Sequence, residues 1–363
     1  MITGHGGNRG EAAAVLGCRP EDIVDMSSNI NPLGMPPGLL EHLRCRLEEI
    51  VSLPEADAGQ AVRSMACLLG IDPGRMLMGT GTTQFIYTVC PALRPERVLI
   101  VGPTYADYAS SCAMYGVPMD FFLARPEDDF QLDHALLASR AKKYDLVFIC
   151  NPNNPTGRII PRDELLDLCR SQTDTTFVVD ESYLPFALGE QAKGMSDEHL
   201  DNVVVLWSIS KIFGIPGLRA GFLEAEVSIL ERFSRFMQPW SANTLAQEAV
   251  VFLGQQKEQT LRFIDQSALF ARQQVDEFQQ DLRGLPVHLY PTVTPYLLIR
   301  LPVDLTAASV CDAMLQERLL LRNCANFYGL DEQYVRIALK TPEINVRAAR
   351  HLRQVVSRKV EEG

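Results

Sequence analysis

The 363-residue sequence has no surplus of positive charge, no paired-cysteine motif and no long apolar run. Lys plus Arg number 34 against 45 Asp plus Glu, a net charge of −11, so the overall balance does not draw the chain to nucleic acid or an anionic membrane. A small Arg-rich site would still bind an anion, because local charge need not follow the total. The nine cysteines (18, 45, 67, 90, 112, 150, 169, 311 and 324) are odd in number, scattered and never spaced C-x-x-C. They read as reduced thiols used as small core residues in a cytoplasmic protein. The six histidines are dispersed with no H-E-x-x-H, so no metal site is expected. Met1 to Asn8 lacks the basic stretch and apolar run of a signal peptide. The apolar runs Leu146–Cys150 and Val203–Trp207 are too short to span a bilayer. What is present is an ordinary globular balance, 47% hydrophobic and 22% charged, in a length that suits one large domain or roughly two. That excludes a disordered chain, a collagen-like chain and a disulfide mini-scaffold.

Short apolar runs end at turn or polar residues and alternate with longer amphipathic stretches. Val98–Val101 runs into Gly102-Pro103, Leu146–Cys150 into Asn151-Pro152, Phe177–Val179 into Asp180-Glu181, and Val203–Trp207 into Ser208-Ile209-Ser210-Lys211. Strands without polar alternation are covered on both faces, which predicts an α/β class with a mostly parallel sheet between helices. Ligands of such sheets sit beyond the carboxyl ends of the strands, where these polar residues lie. After about residue 240 the texture changes. Ala246 to roughly Gln280 reads as helical, and Tyr296–Leu301, Leu319–Arg322 and Val335–Leu339 read as strands of a smaller α+β part.

Four motifs carry chemistry, and each alone also fits a plainer role. Ser208-Ile209-Ser210-Lys211, followed by Pro216-Gly217-Leu218-Arg219-Ala220-Gly221, puts an amine at the end of a buried strand, where desolvation and nearby cations make it nucleophilic. It also fits a surface turn. Asn151-Pro152-Asn153-Asn154-Pro155-Thr156-Gly157 equally fits a tight turn. Asp180, in Asp180-Glu181-Ser182-Tyr183, is a strand-end carboxylate needing a cationic partner or hydration, or else a helix N-cap. Gly79-Thr80-Gly81-Thr82-Thr83 before an apolar helical stretch exposes backbone N–H groups suited to a phosphate, though it lacks the lysine of a Walker loop.

Taken together, in this order and after strands, the motifs resemble the fold-type I pyridoxal phosphate enzymes of the class I/II aminotransferase group. The resemblance covers nearly the whole chain. It implies a large cofactor domain (41–240) with a mostly parallel seven-stranded sheet, a small C-terminal α+β domain (241–363), an N-terminal arm (1–40), and a homodimer. Lys211 would be joined to the cofactor aldehyde and would move protons at the substrate Cα. Asp180 would pair with the pyridine nitrogen, Asn154 and Tyr183 would hydrogen-bond the ring's phenolic oxygen, and Tyr105 would stack on the ring. Gly81, Thr82, Thr83, Ser208, Ser210 and Arg219 would hold the phosphate, and Arg336 would clamp the substrate carboxylate.

The N-terminal His5-Gly6-Gly7-Asn8 and Ser27-Ser28-Asn29-Ile30-Asn31-Pro32-Leu33-Gly34, with Gln238–Asn243 and Leu321-Arg322-Asn323-Cys324-Ala325-Asn326, look like the threonine-phosphate decarboxylases of cobalamin biosynthesis. Histidinol-phosphate aminotransferases share the core but usually lack the His-Gly-Gly-Asn start. The nearer resemblance implies loss of CO₂ from L-threonine O-3-phosphate to give (R)-1-amino-2-propanol O-2-phosphate. His5, Asn29, Arg322, Arg336 and Asn154 are then the substrate-binding candidates. Serine phosphate as substrate and a histidinol-phosphate-type amino transfer are the alternatives. Where relatives often carry Tyr-Pro, a tyrosine reaching the neighbouring subunit's cofactor phosphate, this chain has Leu53-Pro54, and a second tyrosine position reads as Ala58.

Overall fold

Apolar runs with no wet face form the middle of one seven-stranded sheet. The computed structural model describes residues 6–198 and 200–362. Its main sheet comprises β1 (Met76–Gly79), β2 (Val98–Gly102), β3 (Met119–Leu123), β4 (Leu146–Cys150), β5 (Thr176–Asp180), β6 (Val203–Ser208) and β7 (Gly221–Glu224), in the order β1-β7-β6-β5-β4-β2-β3. Only β7 runs against the rest, pairing antiparallel with both β1 and β6. Alternate residues of each central strand serve opposite faces. Ile100, Leu146, Phe148, Val178 and Val204 pack with the helices Thr82–Leu93, Asp107–Met114 and Val227–Ser234. Leu99, Val147, Ile149, Phe177, Val179 and Val205 pack with His134–Ala141 and Arg162–Arg170. Burying both faces at about 25 cal/mol per Å² of apolar surface favours a sheet that no alternating sequence would form.

The second sheet is antiparallel, in the order β10-β11-β9-β8, with β8 (His288–Leu289), β9 (Tyr296–Arg300), β10 (Arg322–Asn323) and β11 (Tyr334–Ala338). The helices Ala307–Gln316 and Pro342–Glu362 cover it. Two expectations change here. The helical stretch expected from Ala246 to Gln280 is two helices, Thr244–Gln255 and Lys257–Asp281, separated at Gln256. The first is N-capped by Asn243, whose side chain accepts from the Ala246 N–H at 2.9 Å, and buries Ala246, Ala249, Val250 and Leu253 in one cluster with Val62, Met65 and Ala66 of the helix Gly59–Leu69. The strand expected over Leu319–Arg322 is divided at Leu321. Leu319–Leu320 pairs in parallel with Val24–Asp25, whereas β10 pairs with β11. The side chain of Leu321 is buried between these two pairings.

All nine cysteines are free thiols. Among the described residues no helix is long and apolar enough to cross a membrane.

Candidate active site

The carboxyl ends of β4, β5 and β6 and the start of the helix Thr82–Leu93 open onto one cleft of about 830 Å³. The 25–28 turn, Arg322, Arg336 and Lys340 supply more of its lining. Every site residue expected from the sequence lines this cleft except His5, which lies outside the described residues. Its neighbours Gly6 and Gly7 do line it, and the Gly7 N–H donates to Ser27 Oγ at 2.8 Å.

Lys211 sits in the one-turn helix Ile209–Ile212 directly after β6. Burial, with the Arg336 and Arg219 charges, lowers its amine to about 8. Asp180 ends β5, is buried, and accepts from the Tyr108 hydroxyl at 2.8 Å and the Ser182 N–H at 3.0 Å. Loss of hydration dominates and raises its carboxyl pKa, with those hydrogen bonds and Lys211 opposing. Tyr183 is buried edge-on to Tyr296, and burial pushes its hydroxyl up to about 12. That hydroxyl accepts from Asn29 Nδ2 at 3.1 Å, and Asn29 Oδ1 has no partner among the described residues. The ring of Tyr105 meets Tyr108 edge-on at 5.8 Å, and its hydroxyl pKa is raised by burial and Asp107.

Also lining the cleft, Gly81 adopts φ +77° just before the helix Thr82–Leu93. That backbone conformation, with ψ 167°, is essentially restricted to glycine, and Arg219 Nη2 stands 2.8 Å from where a Cβ would lie, so the guanidinium approaches the helix start closely. The same economy holds at Gly221, where a Cβ would meet the Thr82 backbone N at 2.4 Å. Thr82, Thr83, Ser208 and Arg219 thus surround a helix N-terminus that offers free N–H groups. The proton of Ser210 Oγ is directed to the Ala220 carbonyl at 3.3 Å.

The C-terminal wall is cationic. Arg322 and Arg336 are both buried and stand directly opposite each other in the β10–β11 register. Like charges at such positions repel, and here each is also desolvated. Arg336 donates from Nη1 to Asn154 Oδ1 and from Nη2 to the Ser27 carbonyl at 2.6 Å, and lies 5.4 Å above the Tyr296 ring. Its Nε is buried without a partner among the described residues. Arg322 donates from Nη2 to Asn326 Oδ1 at 2.7 Å and lies 5.1 Å above the Phe327 ring.

Sequence reasoning missed Tyr108, Asn326, Phe327 and Lys340. Tyr108 follows Tyr105 by three residues, one helical turn, and Lys340 follows Arg336 by four, an even step along an extended chain. Those spacings were the available signals.

The family model for aminotransferase class I and II matches residues 21–352. The threonine-phosphate decarboxylase of Salmonella typhimurium is 34% identical over 362 residues, covering 97% of this chain and 96% of that protein. A histidinol-phosphate aminotransferase of Methanococcus maripaludis is 28% identical, covering 97% and 95%. Among solved structures, the L-threonine-O-3-phosphate decarboxylase from Porphyromonas gingivalis superposes with a TM-score of 0.82 at 33% identity, over 92% of this chain and all of that one.

Proposed function

The chain belongs to the aminotransferase class I and II family, with pyridoxal 5'-phosphate as cofactor, and from that premise we propose that it decarboxylates L-threonine O-3-phosphate to (R)-1-amino-2-propanol O-2-phosphate. The observation that carries this reading is the facing pair Arg322 and Arg336. Two desolvated guanidiniums in direct register call for a ligand with more than one negative charge, and a phosphorylated amino acid brings a carboxylate and a phosphate. The relatives that bear the decarboxylase name, at 34% and 33% identity over nearly their full lengths, point the same way.

The residues present fit the cofactor by their chemistry. A dianion-binding helix start, a depressed lysine and a buried carboxylate occupy one cleft, and the Arg219 guanidinium approaches that helix start closely. When bound, pyridoxal phosphate supplies an electron sink for whichever substrate Cα bond stands normal to its ring. The chain does the rest. Arg219, Thr82, Thr83 and Ser208 hold the cofactor phosphate, with Ser210 alongside, and Asp180 keeps a negative charge beside the pyridine nitrogen. Tyr183 and Asn154 hydrogen-bond the phenolic oxygen. Because Asn154 Oδ1 accepts from Arg336, its Nδ2 is the atom left to donate there. Tyr105 covers the ring face. Arg336 fixes the substrate carboxylate, and Arg322 with Asn29 takes the phosphate. Lys211 carries the proton to Cα once CO₂ has left.

With L-threonine O-3-phosphate and no keto acid present, the holoenzyme is expected to release CO₂ in step with substrate loss. Absence of CO₂ from threonine phosphate and serine phosphate, with amino transfer from histidinol phosphate to 2-oxoglutarate instead, would replace this reading with the aminotransferase one.

A homodimer completes the proposal. Leu47, Ile50, Val51 and Leu53 are exposed, and so is Trp240, whose backbone N–H donates to the Ala56 carbonyl at 3.0 Å. An apolar patch of this kind on a monomer marks an interface. Leu53 would contribute apolar contact there in place of a tyrosine hydrogen bond, whereas Ala58 is buried in the core beside Ala61 and Val62. Light scattering should return twice the mass of the 363-residue chain, and Leu53→Asp should shift it toward one. A monomeric wild type would rule the dimer out.

A further inference from the structure

Lys340 was not among the residues expected to form the site, yet it lines the same cleft as Arg322 and Arg336. Its backbone is held by one buried side chain. The Lys340 N–H donates to Asn345 Oδ1 at 2.8 Å, and Asn345 Nδ2 donates to the Lys340 carbonyl at 2.9 Å and to Gln274 Oε1 at 2.8 Å. The ammonium is set by the 25–28 turn. Lys340 Nζ donates to the Ser28 carbonyl at 3.1 Å, while the preceding carbonyl, Ser27, receives Arg336. Asp25 closes that turn by accepting from the Ser27 N–H (2.9 Å), Ser27 Oγ (2.6 Å) and the Ser28 N–H (3.1 Å). It forms no salt bridge with Lys340. Two of the three ammonium N–H donors therefore have no partner among the described residues. Lys340 is half-buried, and its partial desolvation, with the Arg336 charge adding and the Asp25 carboxylate opposing, lowers its pKa to about 8.

The charges of the cleft sort cleanly. Lys211, Arg219 and Asp180 are taken up by the cofactor in the proposal above. Arg9, Arg322, Arg336 and Lys340 remain against Asp25, a surplus of three positive charges. A carboxylate and a phosphate dianion bring three negative charges against the one positive charge of the substrate's amine, and Arg9, which is exposed, is the most hydrated of these four cations.

We infer that Lys340 is a specificity residue for the substrate's phosphate, giving the dianion a cation in addition to Arg322, which separates phosphorylated amino acids from their unphosphorylated counterparts. This rests on the phosphorylated-substrate reading. Lys340 touches ligand without entering the bond-breaking step, and the 25–28 turn positions it.

The test is ligand binding to the holoenzyme, followed by the cofactor's absorbance, with L-threonine O-3-phosphate and L-threonine as probes. A charge-assisted hydrogen bond contributes about 1.5–3 kcal/mol, so Lys340→Gln should weaken the phosphorylated probe by about 10- to 100-fold. L-Threonine should change by less than about threefold, and Lys340→Arg should recover most of the loss. Lys340→Met, which keeps the apolar stem, repeats the measurement should the glutamine variant fold poorly. Equal weakening of both probes, or of neither, would overturn the assignment while leaving the proposed reaction standing. A wild-type enzyme with no preference for threonine phosphate over threonine would remove both.

Discussion

Lys211→Ala should lower turnover by about 10⁴-fold, because one change removes both the covalent anchor and the proton carrier. The native structure already prepares the amine. At its ordinary pKa of 10.5, about three amines in ten thousand would be neutral at pH 7, whereas at about 8 roughly a tenth are. The neutral form attacks an aldehyde. Reconstitution of the apoenzyme should therefore quicken as pH rises through 8 and level off above it, with no further rise toward 10.5. Hydride reduction followed by mass spectrometry should find the cofactor on Lys211 of the wild type and on no residue of the variant. The other amine of the cleft, Lys340, makes the control informative, since an adduct there or an unmodified Lys211 in reduced wild type would refute the assignment.

Asp180→Asn should produce the second largest effect, and with opposite signs in the two forms of the protein. An anion within about 4–6 Å raises a neighbouring cation's pKa by roughly 1–3 units, so removing it should cut the active, ring-protonated fraction by about 10- to 1,000-fold. The amide keeps the shape and can still accept from the Ser182 N–H. In the apoenzyme the balance reverses. The Asp180 pKa is raised by burial, so ionising it above the unfolded-state value near 3.9 costs folding stability at neutral pH. The asparagine apoenzyme should melt at or above the wild-type temperature at pH 7, and this advantage should fade as the pH drops and Asp180 takes up its proton. Measuring kcat and apo melting temperature on the same preparations tests both. A variant with wild-type turnover, or one whose apo form is less stable than wild type at pH 7, would contradict this account.

Legibility followed burial. β2, β4, β5 and β6 are continuous apolar runs, and each was readable without neighbours because a run with no wet face has few other places to go. β1, β3 and β7 were not read. β7 is only Gly221-Phe222-Leu223-Glu224, and its glycine matters for the closeness of Thr82 rather than for any periodic pattern. β3 is an edge strand that carries Asp120 and leaves its outer residues partly wet, so it looks like amphipathic chain of any kind. The two-helix division at Gln256 follows from backbone geometry (φ −97°, ψ 36°), for which a sequence without Gly or Pro at that point has no signal.

The residues of the site divide in the same way. Lys211, Asp180, Asn154 and Gly81 were legible as candidates because each belongs to a short local motif after a strand or before a helix, and the motifs in that order together carry the family resemblance. Arg322 facing Arg336, Tyr108 on Asp180, and Lys340 seated on Ser28 depend on partners 14, 72 and 312 residues away. Register between strands and the path of a turn are settled by long-range burial, and a linear order of residues carries no direct record of which distant charges share one desolvated wall.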